Sequence, residues 1–250
     1  MIHIFTSVVN RPDFVILQDM LFKKFLKNEY TFHVVDDSVD PEITEQFEIA
    51  CSLRELQYYR KPPATKPMNP AQACADTIQW SYDNLIKKNH SDDIVFFTDS
   101  DMFLIDEFDI EEYMSDAIIG GLPQEREHVT YMWNGIMFFN MPKIIDKDID
   151  FSEGMVDGQL TDVGGHTYYY FKKTGIELKG SDVQYPTHYY DIDLQKDAGG
   201  YNMELHLDGN FLHYRAATNW HSNWKGSDDP LEGKTKVFNQ IIQQLLGENE

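Results

Sequence analysis

Asp93-Ile94-Val95-Phe96-Phe97-Thr98-Asp99-Ser100-Asp101-Met102-Phe103-Leu104 is the stretch on which the fold turns. Ile94 to Phe97 is a continuous apolar run bounded by polar residues. Such a run predicts a strand buried on both faces, hence central in a mostly parallel sheet. Thr98 to Asp101 then stands at the carboxyl end of that strand, where open α/β sheets bind their ligands. Two carboxylates one residue apart, at a strand-to-loop transition, can turn toward a common point. Oxygen ligands suit a hard cation such as Mn²⁺ or Mg²⁺, and a cation there would bridge to a diphosphate and stabilise its departure. An Asp-x-Asp triplet also serves as an ordinary acidic turn. The apolar residues Met102 to Leu104 resume directly after it, which favours a site.

Toward the N-terminus, Ile2 to Thr6 reads as a strand. Asn10 and Pro12 open a helix, because proline fits the first turn, where its missing N–H is not needed. Phe14, Leu17, Leu21 and Phe25 follow at helical spacing. Tyr30 to Val35 is a second strand ending in Asp36-Asp37-Ser38, which completes a βαβ unit. A helix over about Pro41 to Cys51 precedes a proline-rich loop, Arg60 to Pro70. Asn69-Pro70 then caps a helix whose stripe runs through Ala71, Cys74, Ala75, Ile78, Tyr82, Leu85 and Ile86. Toward the C-terminus, Ala117 to Leu122, Tyr131 to Asn140 and Glu204 to Tyr214 read as strands. The tyrosines of Tyr168 to Phe171 and Tyr189-Tyr190 divide between core and surface by alternation. A last helix covers about Lys234 to Leu246, with Gly247 as its stop. No linker divides the chain, so the expectation is one α/β domain, Rossmann-like, with helices flanking a mostly parallel sheet.

Composition bounds the partners. The 42 acidic and 21 basic residues give a formal net charge of −21, which repels nucleic acid and anionic lipid and excludes non-specific binding to either. An anionic substrate then needs a bridging cation or local basic groups. Aromatics make up 14% of the chain; most belong to the core, and some offer platforms for a flat ligand. Cys51 and Cys74 form neither a metal spacing nor a disulfide framework, and read as reduced, buried thiols. No apolar run approaches the length of a transmembrane segment, and the first residues lack a signal peptide. A soluble, cytoplasmic protein is expected.

With these residues in view, the sequence resembles the GT-A class of glycosyltransferases, from about residue 1 to 225. The loop after the first strand of that class binds the nucleotide, matching Thr6, Ser7, Asn10 and Arg11. An acidic residue ending the second strand lies near the base, matching Asp36 or Asp37. The DxD motif matches Asp99-Ser100-Asp101. Trp133-Asn134-Gly135-Ile136-Met137-Phe138-Phe139-Asn140 is similar to the class's N-x-G segment along the sugar, although no residue separates Asn134 from Gly135. Leu212-His213-Tyr214 with Asn219-Trp220 is similar to the HY…W segment whose histidine is the third metal ligand, with His221 a rival to His213.

The resemblance implies that Asp99, Asp101 and His213 hold Mn²⁺ (or Mg²⁺). It implies a nucleotide-sugar donor, UDP- or GDP-linked, and a saccharide or glycoconjugate acceptor. Residues 1–105 form the nucleotide-binding half, and 106–250 the acceptor-binding half with the C-terminal helix. Arg215 and Lys225 could hold the diphosphate, since charge-assisted bonds to phosphate are strong. In the Gly-rich stretch Asp157 to His166, where glycines admit close approach of a ligand, Asp162 is the first candidate for base or sugar contact and Asp157 the second. The N-x-G and HY…W segments resemble retaining members more than inverting ones. Two other readings compete. A sugar-1-phosphate nucleotidyltransferase needs a Gly-rich basic loop after the first strand, and Phe5 to Arg11 contains no glycine. A non-catalytic carbohydrate-binding protein would use Asp99 and Asp101 only structurally.

Overall fold

The structure, a computed structural model, describes residues 1–180, 183–189, 192–194, 203–215 and 230–247. The first half alternates strand and helix. It runs β1 Ile2–Val8, α1 Pro12–Phe25, β2 Tyr30–Asp36, α2 Pro41–Leu53, β3 Gln57–Arg60 and α3 Pro70–Ser81. A π turn at Tyr82–Ile86 and the short α4, Lys87–Asn89, lead into β4, Ile94–Asp99. The second half continues with β5 Met102–Leu104, α5 Ile110–Tyr113, β6 Ile119–Arg126 and β7 Val129–Asn140. Then come β8 Gly154–Val156, β9 Gln159–Thr161, α6 Thr167–Thr174 and β10 Leu178–Gly180. The remaining described elements are β11 His188–Tyr189, β12 Ile192–Asp193, β13 Glu204–His206, β14 Phe211–His213 and α7 Pro230–Leu246.

A seven-stranded sheet in the order β10-β6-β7-β4-β1-β2-β3 joins both halves of the chain. Its parallel pairs are β1 with β2 and with β4, β2 with β3, and β6 with β10, whereas β7 runs antiparallel to both β4 and β6. The apolar run of β4 behaves as its composition demands. Phe96 packs on one face with Phe22 and Phe47, while Val95 and Phe97 pack on the other with Ile78 and Tyr82. Burying a ring of this size contributes roughly 1.5–3 kcal/mol, and β4 does so on both faces. Helices α1 and α2 therefore cover one face, and α3 with its π turn covers the other. A third cluster joins α1 and α7 to a small antiparallel sheet, β13-β14-β5.

Strand register fixes what meets at the carboxyl edge. Ser7 lies beside Asp99, and Val8 beside Asp36. On the far side of β4 the ladder is irregular. Leu122 pairs with Trp133 and Gly121 with Met137, so that Asn134 to Ile136 bulge out of the β6–β7 pairing. Bulges re-aim side chains and recur beside active sites.

Several expectations change in three dimensions. Glu204 to Tyr214 is not one strand but the hairpin of β13 and β14, turned by Leu207 and Asp208 at positive φ and by Gly209. Tyr168 to Phe171 is helical, in α6, so its rings divide by helical rather than strand periodicity: Tyr170 is buried and Tyr169 exposed. The stripe ending in Ile86 is present, but the π turn interrupts it. Helix α1 has Arg11, not Asn10, at its N-cap, at φ 66°. Among the described residues, no helix is long and apolar enough to cross a membrane.

Candidate functional site

The carboxyl edge of the sheet opens into a cleft of about 670 Å³. One wall is Ser7 to Val9 and Asp37, with the first turns of α3, from Pro70 to Thr77, alongside. Asp99, Ser100 and Asp101 form the floor, and Asn134, Trp133 and Asp162 the second wall. Glu204, His213 and Arg215 close the end.

The floor is held rigidly. Gln18, buried on α1, donates from Nε2 to the carbonyls of Asp99 (2.8 Å) and Met102 (2.9 Å), which pins the loop between β4 and β5. The Tyr214 N–H donates to the Asp101 carbonyl at 2.8 Å, tying β14 to the same loop. The Asp99 carboxylate accepts from Asn134 Nδ2 at 3.1 and 3.0 Å, which is where the bulge of β7 directs that amide. Gly135 is required by the same bulge: a Cβ there would drive into the Trp133 ring. Ser100 and Asp101 are buried. His213 Nε2 lies 3.7 Å from Asp101 Oδ1, while its Nδ1 lies 2.9 Å from Glu204 Oε2. The β13–β14 register places Glu204 opposite His213. A carboxylate behind an imidazole fixes its tautomer and aims its other nitrogen.

The electrostatics of the floor are those of two acids crowded together. Burial, and next the charge of Asp101, raises the Asp99 pKa well above the usual carboxylate range. Burial would also raise Glu204, but the His206 imidazole 3.6 Å away, the hydrogen bond with His213 and the Arg215 charge hold it below its usual value. Cys74 is pushed up, by burial first and then by Asp99 and Asp101, so its thiol is inert as a nucleophile. Five carboxylates line the cleft, those of Asp37, Asp99, Asp101, Asp162 and Glu204, against the guanidinium of Arg215.

The residues singled out in the sequence divide into three groups. Ser7, Asp37, Asp99, Ser100, Asp101, Asn134, Asp162, His213 and Arg215 come together on the cleft. Thr6, Asn10, Arg11, Asp36, Gly135 and Asp157 are not among its lining residues. Asp36 is fully buried and committed elsewhere, accepting from Tyr58 Oη (2.8 Å) and the Ser38 N–H (2.7 Å) and pairing with Arg60. Asp37 is the acid that faces the cleft, held by Lys61 (3.1 Å) and Thr77 (2.9 Å). Arg11 is drawn to Asp13 at 2.6 Å and lies over the Phe14 ring. Asp157 sits in the β8–β9 turn, bound to Lys172 at 3.0 Å and Tyr168 at 2.8 Å. Lys225, Asn219, Trp220, His221 and Tyr190 lie outside the described residues.

The glycine pair has a packing role. A Cβ on Gly164, at φ +88°, would strike the Met132 carbonyl, and one on Gly165 the Thr161 side chain. This tight turn against β7 positions Asp162 on the cleft. Glu204 was not singled out from the sequence. The signal for Glu204 was present: Asp208-Gly209 is a hairpin dipeptide, and folding the chain there pairs Glu204 with His213.

No protein-family model matches the chain, and no curated protein matches it. Solved structures do. One is the crystal structure of the galactosyltransferase LgtC in complex with donor and acceptor sugar analogs. It superposes at a TM-score of 0.53 and 15% identity, covering 100% of this chain and 98% of that one. The fold is GT-A. Identity this low carries the architecture alone, so the chemistry must rest on the cleft.

Proposed function

We propose that this chain is a metal-dependent glycosyltransferase that moves a sugar from a nucleoside diphosphate sugar to a hydroxyl of a saccharide or glycoconjugate. The observation that carries the reading is the convergence of Asp99, Asp101 and His213 in one cleft at the carboxyl edge of a GT-A sheet. The LgtC structure, with its donor and acceptor analogs, supports the same class of reaction.

A divalent cation fits this donor set. Two carboxylate oxygens and one imidazole suit Mn²⁺ or Mg²⁺, and the raised Asp99 pKa is that of acids crowded together with too little positive charge near them. Asp99, Asp101 and His213 would hold the ion, which supplies charge neutralisation for a departing diphosphate. The chain's own residues do the rest. Ser7 Oγ is buried without a hydrogen-bond partner among the described residues, and with Asp37 it offers polar contacts for the nucleoside. Arg215, which lines the cleft and pairs with Glu204 at 3.3 Å, would meet a phosphate oxygen. Asn134 orients Asp99 and borders the sugar position, with the Trp133 ring beside it as an apolar platform. Asp162 lies across the cleft, where it can accept a hydrogen bond from a sugar hydroxyl or take the acceptor proton. The likeness of the Asn134 and His213 segments to retaining members supports retention of configuration.

A thermal-shift screen of UDP, GDP and their sugars, each with Mn²⁺ or chelator, tests this, because a ligand of the native state raises the melting temperature by mass action. The expected outcome is a shift with one nucleotide that needs metal and is lost in Asp101→Ala. A shift with free sugars alone, indifferent to metal, would instead favour a non-catalytic carbohydrate-binding protein. Silence with every nucleotide would sink the transferase reading.

A further inference from the structure

At the opposite edge of the central sheet, three imidazoles meet. His3 lies near the start of β1, His33 on β2, and His90 follows α4; one ring nitrogen from each lies within 4.8 Å of the other two. His3 and His33 are buried. Asp93 adjoins them and immediately precedes β4, and the register sets His3 level with Val95 and His33 level with Phe97.

The nitrogens are sorted in a particular way. His3 Nδ1 and His33 Nε2 face each other at 2.9 Å. Their other nitrogens are each backed by an oxygen: His3 Nε2 by Asp93 Oδ2 at 3.3 Å, and His33 Nδ1 by Tyr59 Oη at 3.3 Å. His90 Nδ1 lies 3.8 Å from the same Asp93 oxygen. Asp93 Oδ1 meanwhile takes the Met1 amino group at 3.0 Å. One hydrogen bond between His3 and His33 accounts for two of the rings. It does not account for the third, whose ring centre lies 3.8 Å from that of His3 and 5.3 Å from that of His33.

Imidazoles whose outer nitrogens are held by a carboxylate or hydroxyl, and whose inner nitrogens converge, form the usual arrangement around zinc. We propose that His3, His33 and His90 form a second metal site, selective for a zinc-class ion, with Asp93 and Tyr59 orienting the ligands. Tetrahedral Zn²⁺, with bonds of about 2.0–2.1 Å, sets its nitrogen ligands about 3.4 Å apart. Seating the ion asks the inner nitrogens, now within 4.8 Å of one another, to draw together and the His90 ring, centred 3.8 Å from that of His3, to turn away from it. Burial holds all three imidazoles below their ordinary pKa, so they are neutral at pH 7, the form a cation requires. The π turn at Tyr82–Ile86, just ahead of His90, is a feature that recurs at functional sites. The fourth ligand is a water. The ion would tie the first strand, the second strand and the entry to β4 together at one point.

The site differs in chemistry from the carboxyl-edge cleft, and the test uses that difference. The full chain, stripped with chelator and returned to buffer with excess Mg²⁺ to occupy oxygen ligands, is titrated with Zn²⁺ by calorimetry. In His213→Ala, which removes the imidazole of the carboxyl-edge cleft, we expect one Zn²⁺ per chain. Affinity should fall about 100-fold or more in His90→Ala, and about 10–100-fold in Asp93→Asn, as for loss of a ligand's orienting partner. Co²⁺ in place of Zn²⁺ should give the intense visible bands of a tetrahedral, nitrogen-ligated ion in the unmutated protein, a readout independent of whether any variant folds. The proposal is overturned by the absence of stoichiometric Zn²⁺ binding, by octahedral Co²⁺ spectra, or by Zn²⁺ binding that survives His90→Ala and is lost with His213→Ala.

Discussion

The two edges of the central sheet bring acids and imidazoles together for opposite ends. At the carboxyl edge, Asp99 and Asp101 crowd their charges in a cleft open to solvent, and Asp99 is driven toward protonation by burial and by its neighbour. At the amino edge, His3, His33 and His90 are driven toward the neutral form by burial first of all. One region therefore offers hard oxygen donors with room for a polyanion, and the other offers borderline nitrogen donors in a closed space. The contrast teaches that position along a strand sets the chemistry available. Strand ends that feed long loops leave a cleft, whereas the imidazoles of β1 and β2 are packed against His90 and Tyr59.

The largest effect expected comes from removing an acid on the cleft floor. Asp101→Ala should lower glycosyl transfer by about 10²–10³-fold, the usual scale for loss of one charge-stabilising group, while leaving Zn²⁺ binding at the amino edge intact. A variant that lost both together would mean that the two edges are not independent. Next in size is Glu204→Gln. It keeps the shape behind His213 but removes the charge, and should weaken Mn²⁺ binding about 10–100-fold. Nucleotide binding without metal would be unchanged, and calorimetry with and without chelator separates the two.

A pH effect follows, with its sign fixed by linkage. Asp99 has a folded pKa raised above its unfolded value, so the native state holds its proton more tightly than the unfolded one. Its contribution therefore favours folding at low pH, and is lost as pH rises from about 3.9, the free carboxyl value, through the raised folded value. Metal-free wild type should lose melting temperature relative to Asp99→Asn over that interval, and Mn²⁺ should restore it. A difference that ran the other way would show that Asp99 is charge-compensated without metal. Smallest of all is Asp157→Ala. Its carboxylate is engaged by Lys172 and Tyr168 on the exposed β8–β9 turn, so turnover measured beside an Asp162→Ala control should be unchanged. A loss equal to that of the control would return Asp157 to the cleft.

Local patterning made much of the frame legible. The apolar run Ile94 to Phe97, the βαβ unit before it and the Asn69-Pro70 cap each describe their own element, because burial on two faces and helix capping are satisfied within a few residues. The cap is present with its full reciprocal bonding between Asn69 and Gln72. The packing of the glycine pair was not legible, since Gly164 and Gly165 answer to Met132 and Thr161, far away in sequence or folded back on the turn. Glu204 to Tyr214, expected as one strand, is a hairpin: an apolar stretch does not announce where it reverses, although Asp208-Gly209 carried the clue.

By itself, then, the sequence determined an α/β chain with two carboxylates at the end of its most buried strand, because periodicity and turn chemistry are local. Only the tertiary structure decided which acid faces the cleft. Asp36 and Asp37 are adjacent in sequence and alike in composition, yet Tyr58, Ser38 and Arg60 claim the first and leave the second, with Lys61 and Thr77, on the wall. It likewise decided that His3, His33 and His90, separated by 30 and 57 positions, share one point. Strand register sets such meetings, and register is a property of the whole sheet, to which no single segment holds the key.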